Sequence, residues 1–331
     1  MTTHRQWLLL DHPRGVDFAR AIRLEEAPRP EPQDGEVLMR NRWLSLDAGT
    51  RMWMTPRTDG YQPPLPLGIV VPGQALGEVV ASRHAGFREG DLVRGFGQWA
   101  DHSCVCPELS GLTVLDARVD DPRQHLGVLG MNGWTAYVGI AEVGRAQPGE
   151  TVLVSAAAGS TGLLAMQIAR NLGCRTAGIV GGVEKGRYLT EEIGADVAID
   201  RRAGDVAGQL DALGGIDVYF DNVGGPLLDD ILPAMNHYGR IALCGLIASY
   251  EEDGMAVRRF DQILMRRLQV TGFFSPDFAH RGPELTARLR AWYEEGRLVM
   301  PFDETVGLEN TLAAYAKLFT GGNLGKVIVR L

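Results

Sequence analysis

A turn of small residues gives the clearest chemical signal in the sequence. Val154–Gly162 reads VSAAAGSTG and matches the dinucleotide-binding fingerprint G-x-G-x-x-G, with Ala157 in the first glycine position. In such a turn, Gly159 lets the backbone approach a pyrophosphate, and Gly162 lets the following helix pack closely against the strand. Because the first N–H groups of a helix have no partner within the helix, the pattern predicts a phosphate site. Its predicted contacts are Ala157, Gly159, Ser160, Thr161 and Gly162. An ordinary small-residue turn in a buried strand–helix unit is the alternative.

The end of the next predicted strand indicates which dinucleotide binds. An NAD-selective site usually carries a carboxylate there, about 20 residues after the glycine-rich turn, to hold the ribose 2′-hydroxyl. Here Ile179–Val183 reads IVGGV and has no acid, while Lys185 follows and Arg201 and Arg202 stand just after the third predicted strand. A missing acid with cations nearby favours the 2′-phosphate of NADP(H), with Gly182, Lys185 and Arg201 as contacts. A solvated helix position is the alternative for Lys185.

Other catalytic chemistries find little support in the sequence. Cys104 and Cys106 are the only cysteines close together, and with His102 they have poor spacing for a structural zinc lobe. The seven histidines form no H-x-x-x-H pair, and no G-x-S-x-G nucleophile elbow is present. We therefore expect no metal and no nucleophilic acyl chemistry.

The elements that position these residues change character near Gly130. The first ~120 residues read as short strands separated by proline and glycine, which favours a small β-rich domain. After Gly130, strands and helices alternate, and this pattern predicts a parallel, doubly wound α/β sheet. The predicted strands are 151–155, 176–180, 197–200, 216–220, 240–245 and 269–274, and the predicted helices are 163–172 and 185–193. A last helix at 309–319 and a last strand at 326–330 could return to the first domain.

Bulk composition excludes several classes of partner. The chain has 331 residues, a formal net charge of −8 and four scattered cysteines. An acidic surface repels phosphate backbones, so no nucleic-acid partner is expected. No basic-flanked signal peptide and no run of ~20 apolar residues are present, so we expect neither export nor a membrane span. A reduced, cytoplasmic protein is the resulting prediction.

Several segments together resemble the zinc-independent medium-chain dehydrogenase/reductase family, in its leukotriene/prostaglandin reductase and alkenal double-bond reductase branch. The resemblance covers nearly the whole chain. The most specific strings are Phe-Asp-Asn-Val-Gly-Gly at 220–225 and Asn-Leu-Gly-Lys at 323–326. The other matching segments are Leu44–Asp47 with Arg51, Gly133–Tyr137, Ala156–Gly162, Glu184–Lys185, and Gly239–Gly245 running on to Tyr250.

The resemblance implies the domain organisation and further contacts. A GroES-like β-barrel catalytic domain would span 1–125, completed by 298–331, and a Rossmann NADP-binding domain would span 126–297. A homodimer is also implied. In the family, the lysine matched by Lys185 binds the 2′-phosphate, and Arg201 stands where a tyrosine usually shares that role. Further implied cofactor contacts are Asn222, Cys244, Tyr250, Phe273, Phe274, Ser275 and Asn323. Turn capping or core packing is the alternative for these residues.

One segment departs from the family pattern L-S-x-D-P-Y-M-R. Residues 44–51 read LSLDAGTR, so Gly49 replaces the tyrosine that borders the active-site cleft. The extra space would admit a bulkier substrate, or Trp53 or Met54 would fill it. The candidate pocket walls are Trp53, Met54, Tyr61 and Met131, with core packing as the alternative.

The resemblance implies an enzyme in which NADPH gives a hydride to the β-carbon of an α,β-unsaturated ketone or aldehyde and so reduces the C=C bond. With no zinc to polarise the carbonyl, the oxyanion needs a hydroxyl donor. Tyr250, which matches the family's Ser/Thr-Tyr, is the candidate, and the cofactor's ribose 2′-hydroxyl is its expected partner. A purely packing or cofactor-binding role for Tyr250 is the alternative. An NADPH quinone reductase and a non-catalytic NADPH-binding protein are the alternative functions.

Overall fold

The computed structural model describes residues 2–60, 62–116, 118–250 and 255–331. Its strands and α-helices, in chain order, are β1 (Thr3–Leu9), β2 (Ile22–Pro28), β3 (Val37–Ser45), α1 (Thr50–Trp53), β4 (Pro72–Ser82), β5 (Leu92–Gln98), β6 (His102–Val105), α2 (Pro107–Ser110), β7 (Thr113–Val114), α3 (Met131–Tyr137), β8 (Thr151–Val154), α4 (Ser160–Asn171), β9 (Arg175–Val180), α5 (Val183–Glu191), β10 (Val197–Asp200), α6 (Val206–Asp211), β11 (Ile216–Asp221), α7 (Leu227–Ala234), β12 (Met235–Leu243), α8 (Asp261–Met265), β13 (Gln269–Gly272), α9 (Gly282–Glu294), β14 (Phe302–Val306), α10 (Thr311–Thr320) and β15 (Lys326–Arg330). Short 3-10 helices span Phe18–Arg20, Pro122–Leu126, Ile247–Ser249, Ser275–Arg281 and Leu308–Asn310, and a π-helical stretch, Val138–Val143, continues α3.

The chain divides into two compact units, Met1–Leu126 with Phe302–Leu331 and Gly127–Pro301. These limits lie within a few residues of the predicted domain boundaries. The assignment of the units as catalytic and cofactor-binding domains stays a prediction. Within the described ranges, none of the helices combines the length and apolar character that crossing a bilayer requires.

The first unit is built on a mixed sheet in the order β14-β15-β3-β4-β5-β7, with β6 also pairing with β3. The C-terminal strand β15 lies between β14 and β3, so the last residues of the chain complete this sheet. A partly buried ion pair joins the two segments that meet there, because the ammonium of Lys326 lies 2.5 Å from Asp47 Oδ1 and also donates to the Leu46 carbonyl. Lys326 itself is only 1% exposed. The pair therefore links the Leu44–Asp47 and Asn323–Lys326 strings.

The second unit holds a parallel sheet in the order β10-β9-β8-β11-β12-β13. Numbered along the unit, this is the order 3-2-1-4-5-6 of a doubly wound nucleotide-binding fold, and it confirms the predicted fold class. All four residues of β8 are buried, as expected for a strand covered by helices on both faces. The strand order reverses between β8 and β11, so a crevice is expected outside the carboxyl ends of these two strands.

Element boundaries agree best where the sequence pattern is local. Strands β10 and β15 occupy the predicted residues. Strand β12 begins at Met235 rather than at residue 240, because an irregular stretch with Tyr238 at φ 64° still pairs with β11. Strand β13 ends at Gly272, so Phe273–Ser275, predicted as a strand end, lie just beyond it.

Candidate cofactor and active site

The predicted phosphate turn connects β8 to α4. Ala156 adopts a left-handed conformation with φ 47°, and the N–H of Gly159 closes the turn by donating to the Ala156 carbonyl at 2.9 Å. The N–H of Ala157 donates to the Ile179 carbonyl at 3.1 Å, which ties the turn to the neighbouring strand β9. Helix α4 then starts at Ser160 with no side-chain cap. Its first N–H groups, including those of Ser160 and Thr161, are thus donors that an anion can use.

Gly162 is the glycine at which this turn and the helix come closest. A Cβ added to Gly162 would lie 2.9 Å from the Cα of Ala157, closer than side-chain packing allows. At Gly159, an added Cβ would lie 3.3 Å from the Ala156 carbonyl oxygen. The cradle therefore has the shape that a pyrophosphate requires, with backbone N–H groups at the start of α4 and small residues around them.

Two arginines lie over the end of β9. A Cβ at Gly181 would be 3.2 Å from Arg202 Nε and 3.4 Å from Arg201 Nε, and one at Gly182 would be 3.7 Å from an Arg202 terminal nitrogen. Lys185, partly buried, is the third residue of α5. Two guanidinium groups beside a strand whose own end carries no acid suit the 2′-phosphate of NADP(H).

Asp200 fixes the loop that carries these arginines. Its Oδ1 accepts the N–H of Gly182 at 2.8 Å and that of Arg202 at 2.9 Å. The N–H groups of Arg202 and Gly182 hold the pKa of Asp200 below its ordinary value, so its carboxylate stays ionised at neutral pH. The ends of β9 and β10 are thereby joined, with Gly182 in a backbone conformation, φ 110°, that favours glycine.

On the other side of the reversal point, Asn222 and the Tyr250 hydroxyl both lie close to Gly245, just beyond the ends of β11 and β12. The Asn222 amide nitrogen donates to the Ser155 carbonyl at 2.7 Å, and its backbone N–H donates to Ser155 Oγ at 2.9 Å. A Cβ at Gly245 would lie 3.1 Å from the Tyr250 hydroxyl and 3.2 Å from the Asn222 carbonyl oxygen. The phenol thus lies beside the strand ends that border the crevice.

A buried carboxylate, that of Asp221, and a half-buried thiol, that of Cys244, lie next to these strand ends. Asp221 is completely inaccessible, and its backbone carbonyl accepts the N–H groups of Cys244 at 2.8 Å and Gly245 at 3.0 Å. Burial, followed by the negative charge of Asp221, raises the pKa of the Cys244 thiol to about 12. Burial likewise raises the pKa of Tyr219 well above its ordinary value, and Asp221 adds to the effect. Both groups therefore remain protonated at neutral pH.

The remaining predicted contacts of this unit are placed around α3, β13 and their neighbours. Phe273 is buried against Phe220, with ring centroids 6.2 Å apart, and its N–H donates to the Leu243 carbonyl at 3.3 Å. Phe274 is 38% exposed, and Ser275 begins a 3-10 helix. Met131 begins α3 and is half-buried. The adjacent Asn132 donates from its amide to the Thr161 hydroxyl at 3.1 Å, linking α3 to the first turn of α4.

The other predicted residues belong to the first unit. Met54 is fully buried in its hydrophobic core, and Trp53 packs on Phe96 with ring centroids 5.8 Å apart. An added Cβ at Gly49 would have no heavy atom of the described residues within 4 Å beyond its chain neighbours, so neither Trp53 nor Met54 occupies the immediate surroundings of that Cβ. Asn323 is buried, and its amide donates to the Gly325 carbonyl. Tyr61 lies outside the described residues.

Comparison with known proteins assigns the family. The chain is 36% identical to an NADPH-dependent curcumin reductase of Escherichia coli K12, over 99% of this chain and 97% of that protein. It is 35% identical to a 2-alkenal reductase (NADP(+)-dependent) of Nicotiana tabacum, over 89% of this chain and 87% of that protein. The chain belongs to the zinc-independent medium-chain dehydrogenase/reductase family. Members of this family are oxidoreductases, and this protein is an enzyme of that class.

Matches to family models and solved structures agree with this medium-chain reductase fold. Residues 5–115 match a family described as the N-terminal domain of oxidoreductase, and residues 160–291 match one described as zinc-binding dehydrogenase. Among the described residues, no group of three or more His, Cys, Asp or Glu side chains could hold a metal ion. The crystal structure of CurA from Vibrio vulnificus has a TM-score of 0.92 and 35% identity, covering 99% of this chain and 98% of that one.

Sequence reasoning missed two residues that the structure brings together next to Asn222. Asp221 lies inside the matched Phe-Asp-Asn-Val-Gly-Gly string, and Ser155 lies inside the phosphate turn, but neither was singled out. Their signal was an acidic and a hydroxyl residue at the ends of two strands that become neighbours only in the folded sheet. Arg202 was noticed as an available cation without being assigned a contact, and the structure places its guanidinium beside both glycines of the β9 end.

Proposed function

We propose that this protein reduces the C=C bond of α,β-unsaturated ketones or aldehydes with NADPH. The cofactor is NADP(H): the curcumin reductase and the 2-alkenal reductase carry NADPH or NADP(+) in their names, and CurA, similar to this chain at a TM-score of 0.91, has been solved in complex with NADPH. The substrate class is supported by those two relatives, one acting on curcumin and the other on 2-alkenals. The observation that carries the proposal is the position of the Tyr250 hydroxyl beside Gly245 and Asn222.

The residues of the second unit divide the work of binding. The N–H groups at the start of α4 would bind the pyrophosphate, and Lys185 with Arg201 would bind the 2′-phosphate. Asn222, Cys244, Phe273, Phe274 and Ser275 would border the nicotinamide half, and Asn323 is a further proposed contact of the cofactor. When bound, the cofactor supplies the hydride that adds to the substrate β-carbon.

Tyr250 would act on the substrate's oxygen. Addition of hydride to the β-carbon moves negative charge onto the carbonyl oxygen, and a phenolic O–H donating there lowers the energy of the enolate. The α-carbon is then protonated, which completes a two-electron, two-proton reduction of the C=C bond. Trp53, Met54, Tyr61 and Met131 remain the proposed pocket walls, and the open space at Gly49 supports acceptance of bulky substrates.

The test first compares electron acceptors and then removes the hydroxyl group of Tyr250 by substitution. NADPH oxidation at 340 nm is followed with a small enal, an aromatic enone and a benzoquinone, and with NADH in place of NADPH. We expect consumption of NADPH with the enal and the enone, and product carrying a saturated C–C bond. Tyr250→Phe should lower kcat at least severalfold with the Kd for NADPH little changed, because only the hydroxyl is lost. Unchanged turnover in Tyr250→Phe would show that the Tyr250 hydroxyl has no part in the mechanism. Oxidation of NADPH by the quinone alone would favour a quinone reductase.

We also propose that the protein works as a homodimer in the cytoplasm. The four cysteines are free thiols, which suits a reducing compartment. Strand β13 supports the dimer, because it forms one edge of the parallel sheet and all four of its residues are exposed. An uncovered sheet edge is a ready surface for pairing with another chain.

A further inference from the structure

Asp221 is a buried carboxylate to which the proposed chemistry gives no role. It ends β11, and no part of it is exposed to solvent. Its Oδ1 accepts four hydrogen bonds, from the Tyr219 hydroxyl at 2.7 Å, Ser155 Oγ at 3.1 Å, and the N–H groups of Val223 and Gly224 at 2.9 Å each. Its Oδ2 is buried and has no hydrogen-bond partner within the described part of the chain.

Such a carboxylate is a costly way to end a buried strand. Removing a charged or polar group from water is unfavourable unless hydrogen bonds compensate it, and here one of the two oxygens is uncompensated. An apolar side chain would fill the same place without that penalty. The carboxylate instead fixes the relative orientation of the surrounding segments, because four donors from three segments bind to one of its oxygen atoms.

The hydrogen bonds of Asp221 extend to Asn222 through Ser155. Ser155 Oγ donates to Asp221 and accepts the backbone N–H of Asn222, while the Ser155 carbonyl accepts the Asn222 side-chain amide. Val223 and Gly224 are the next two residues of the same loop, and their N–H groups are held by Asp221 as well. Since Nδ2 of Asn222 is occupied by Ser155, its Oδ1 is the atom that remains to accept a hydroxyl of a ligand.

We propose that Asp221 is a positioning residue for the nicotinamide half of NADPH, acting by fixing the orientation of Asn222. The inference rests on the proposed function, since it assumes that Asn222 contacts the cofactor's ribose. Beyond that function, Asp221 contributes to binding only through the side chain of Asn222. Its contribution is therefore absent for ligands that lack a nicotinamide riboside.

The test uses two ligands and the variant Asp221→Asn in the full-length protein. NADPH presents both halves of the cofactor, whereas adenosine 2′,5′-bisphosphate presents only the adenosine, the 2′-phosphate and one further phosphate. Asparagine keeps the shape but weakens the four hydrogen bonds by removing the charge. By calorimetry, we expect the Kd for NADPH to rise about 10-fold, with the Kd for the bisphosphate changed less than about twofold.

A double-mutant cycle shows whether Asp221 acts through Asn222. Asn222→Ala alone should weaken the binding of NADPH. Adding Asp221→Asn to that variant should weaken NADPH binding no further. Ser155→Ala, which removes one donor to the carboxylate, should give the same selective loss, and it replaces Asp221→Asn if that variant does not fold. Asp217→Asn is the matched control on β11, since its carboxylate accepts the Thr151 N–H and the Asn236 amide at the opposite end of the strand. It should leave both Kd values unchanged.

Three outcomes would overturn the inference. Equally weakened binding of both ligands by Asp221→Asn would indicate general damage to the fold. Effects that add to those of Asn222→Ala would show that Asp221 acts independently of Asn222. Unchanged NADPH binding in Asp221→Asn would show that Asp221 has no role in binding. Failure of the proposed function looks different, because the unaltered protein would then bind NADPH but would not oxidise it with an enal or an enone.

Discussion

In the proposed site, the side chains of Arg201 and Arg202 would distinguish NADPH from NADH, two cofactors that differ by one phosphate. Both guanidinium groups lie beside the glycines at the end of β9, and Asp200 holds the loop beneath them through backbone N–H groups. Because both side chains are exposed, each contact with a phosphate is worth about 1 to 2 kcal/mol rather than the larger values of buried pairs.

We therefore expect Arg201→Ala and Arg202→Ala each to raise the Kd for NADPH about 5- to 30-fold. The Kd for NADH should stay within about twofold, because NADH has no 2′-phosphate. Titration of each variant with both dinucleotides, at two salt concentrations, measures this. Arg187→Ala is the control: that arginine is also exposed, on α5, and its nitrogen lies 3.9 Å from Glu191. Equal losses for NADPH and NADH would place the arginines away from the 2′-phosphate.

At this scale, the sequence is most informative where residues are neighbours along the chain. The glycine-rich turn lies between β8 and α4 as predicted, because its spacing is local, whereas the cofactor-binding role of Lys185 stays a prediction. The Ser155–Asp221 contact joins residues 66 positions apart, and the Lys326–Asp47 ion pair joins residues 279 positions apart. Such contacts follow from the order of strands in a sheet, which residue spacing alone does not determine.

Helix α4 is the element on which the phosphate site depends. Its start lies so close to β8 that an added Cβ at Gly162 would be 2.9 Å from the Ala157 Cα. Gly162→Ala should therefore push the helix away from the turn and lower the free energy of unfolding by about 1 to 3 kcal/mol. It should also weaken the binding of NADPH. Thermal and urea unfolding, with NADPH titration, measure these effects.

Gly186→Ala is the matched control for that change. Gly186 lies within α5 of the same unit, and an added Cβ would meet Ala198 Cβ at an ordinary packing distance of 3.4 Å. Because alanine favours helix more than glycine does, this variant should be as stable as the original or up to about 1 kcal/mol more stable. A loss at Gly186 equal to that at Gly162 would contradict the close-approach explanation.

Elements were predicted well when hydrophobic periodicity was continuous and poorly when it broke. The apolar runs of β8, β9 and β10 were found nearly to the residue. The start of β12 was missed because Met235–Gly239 has no alternation and contains Tyr238 at positive φ. The π-helical stretch Val138–Val143 was not predicted, since its hydrogen-bond pattern leaves no separate signature in residue types.

For the molecule as a whole, the exposed edge of the parallel sheet bears on assembly. Next to β13, where Val270 is 41% exposed, helix α8 presents Leu264 and Met265 at 73% and 58% exposure. Apolar side chains beside an unpaired edge are unfavourable in water unless another surface covers them. The return of β15 to the first unit, by contrast, could be expected only from family resemblance, because its partner β3 lies some 280 residues earlier.

We expect Val270→Lys to convert a dimer into a monomer, because a charge on the edge strand opposes pairing. Analytical ultracentrifugation across a range of protein concentrations measures the change. Leu109→Lys is the control, since Leu109 is 89% exposed on α2 of the other unit. A monomeric unaltered protein, or a dimer that persists in Val270→Lys, would rule out assembly through this edge.

The raised pKa of the half-buried Cys244 thiol has a consequence for the chemical stability of the proposed enzyme during turnover. Conjugated carbonyl compounds are Michael acceptors that alkylate thiolates, and a cysteine at the rim of the catalytic crevice would meet them at high local concentration. With a pKa of about 12, the Cys244 sulfur is almost entirely protonated in the cell and so is a weak nucleophile. Under the proposed function, the desolvation that raises this pKa would thus protect the enzyme from its own electrophilic substrates.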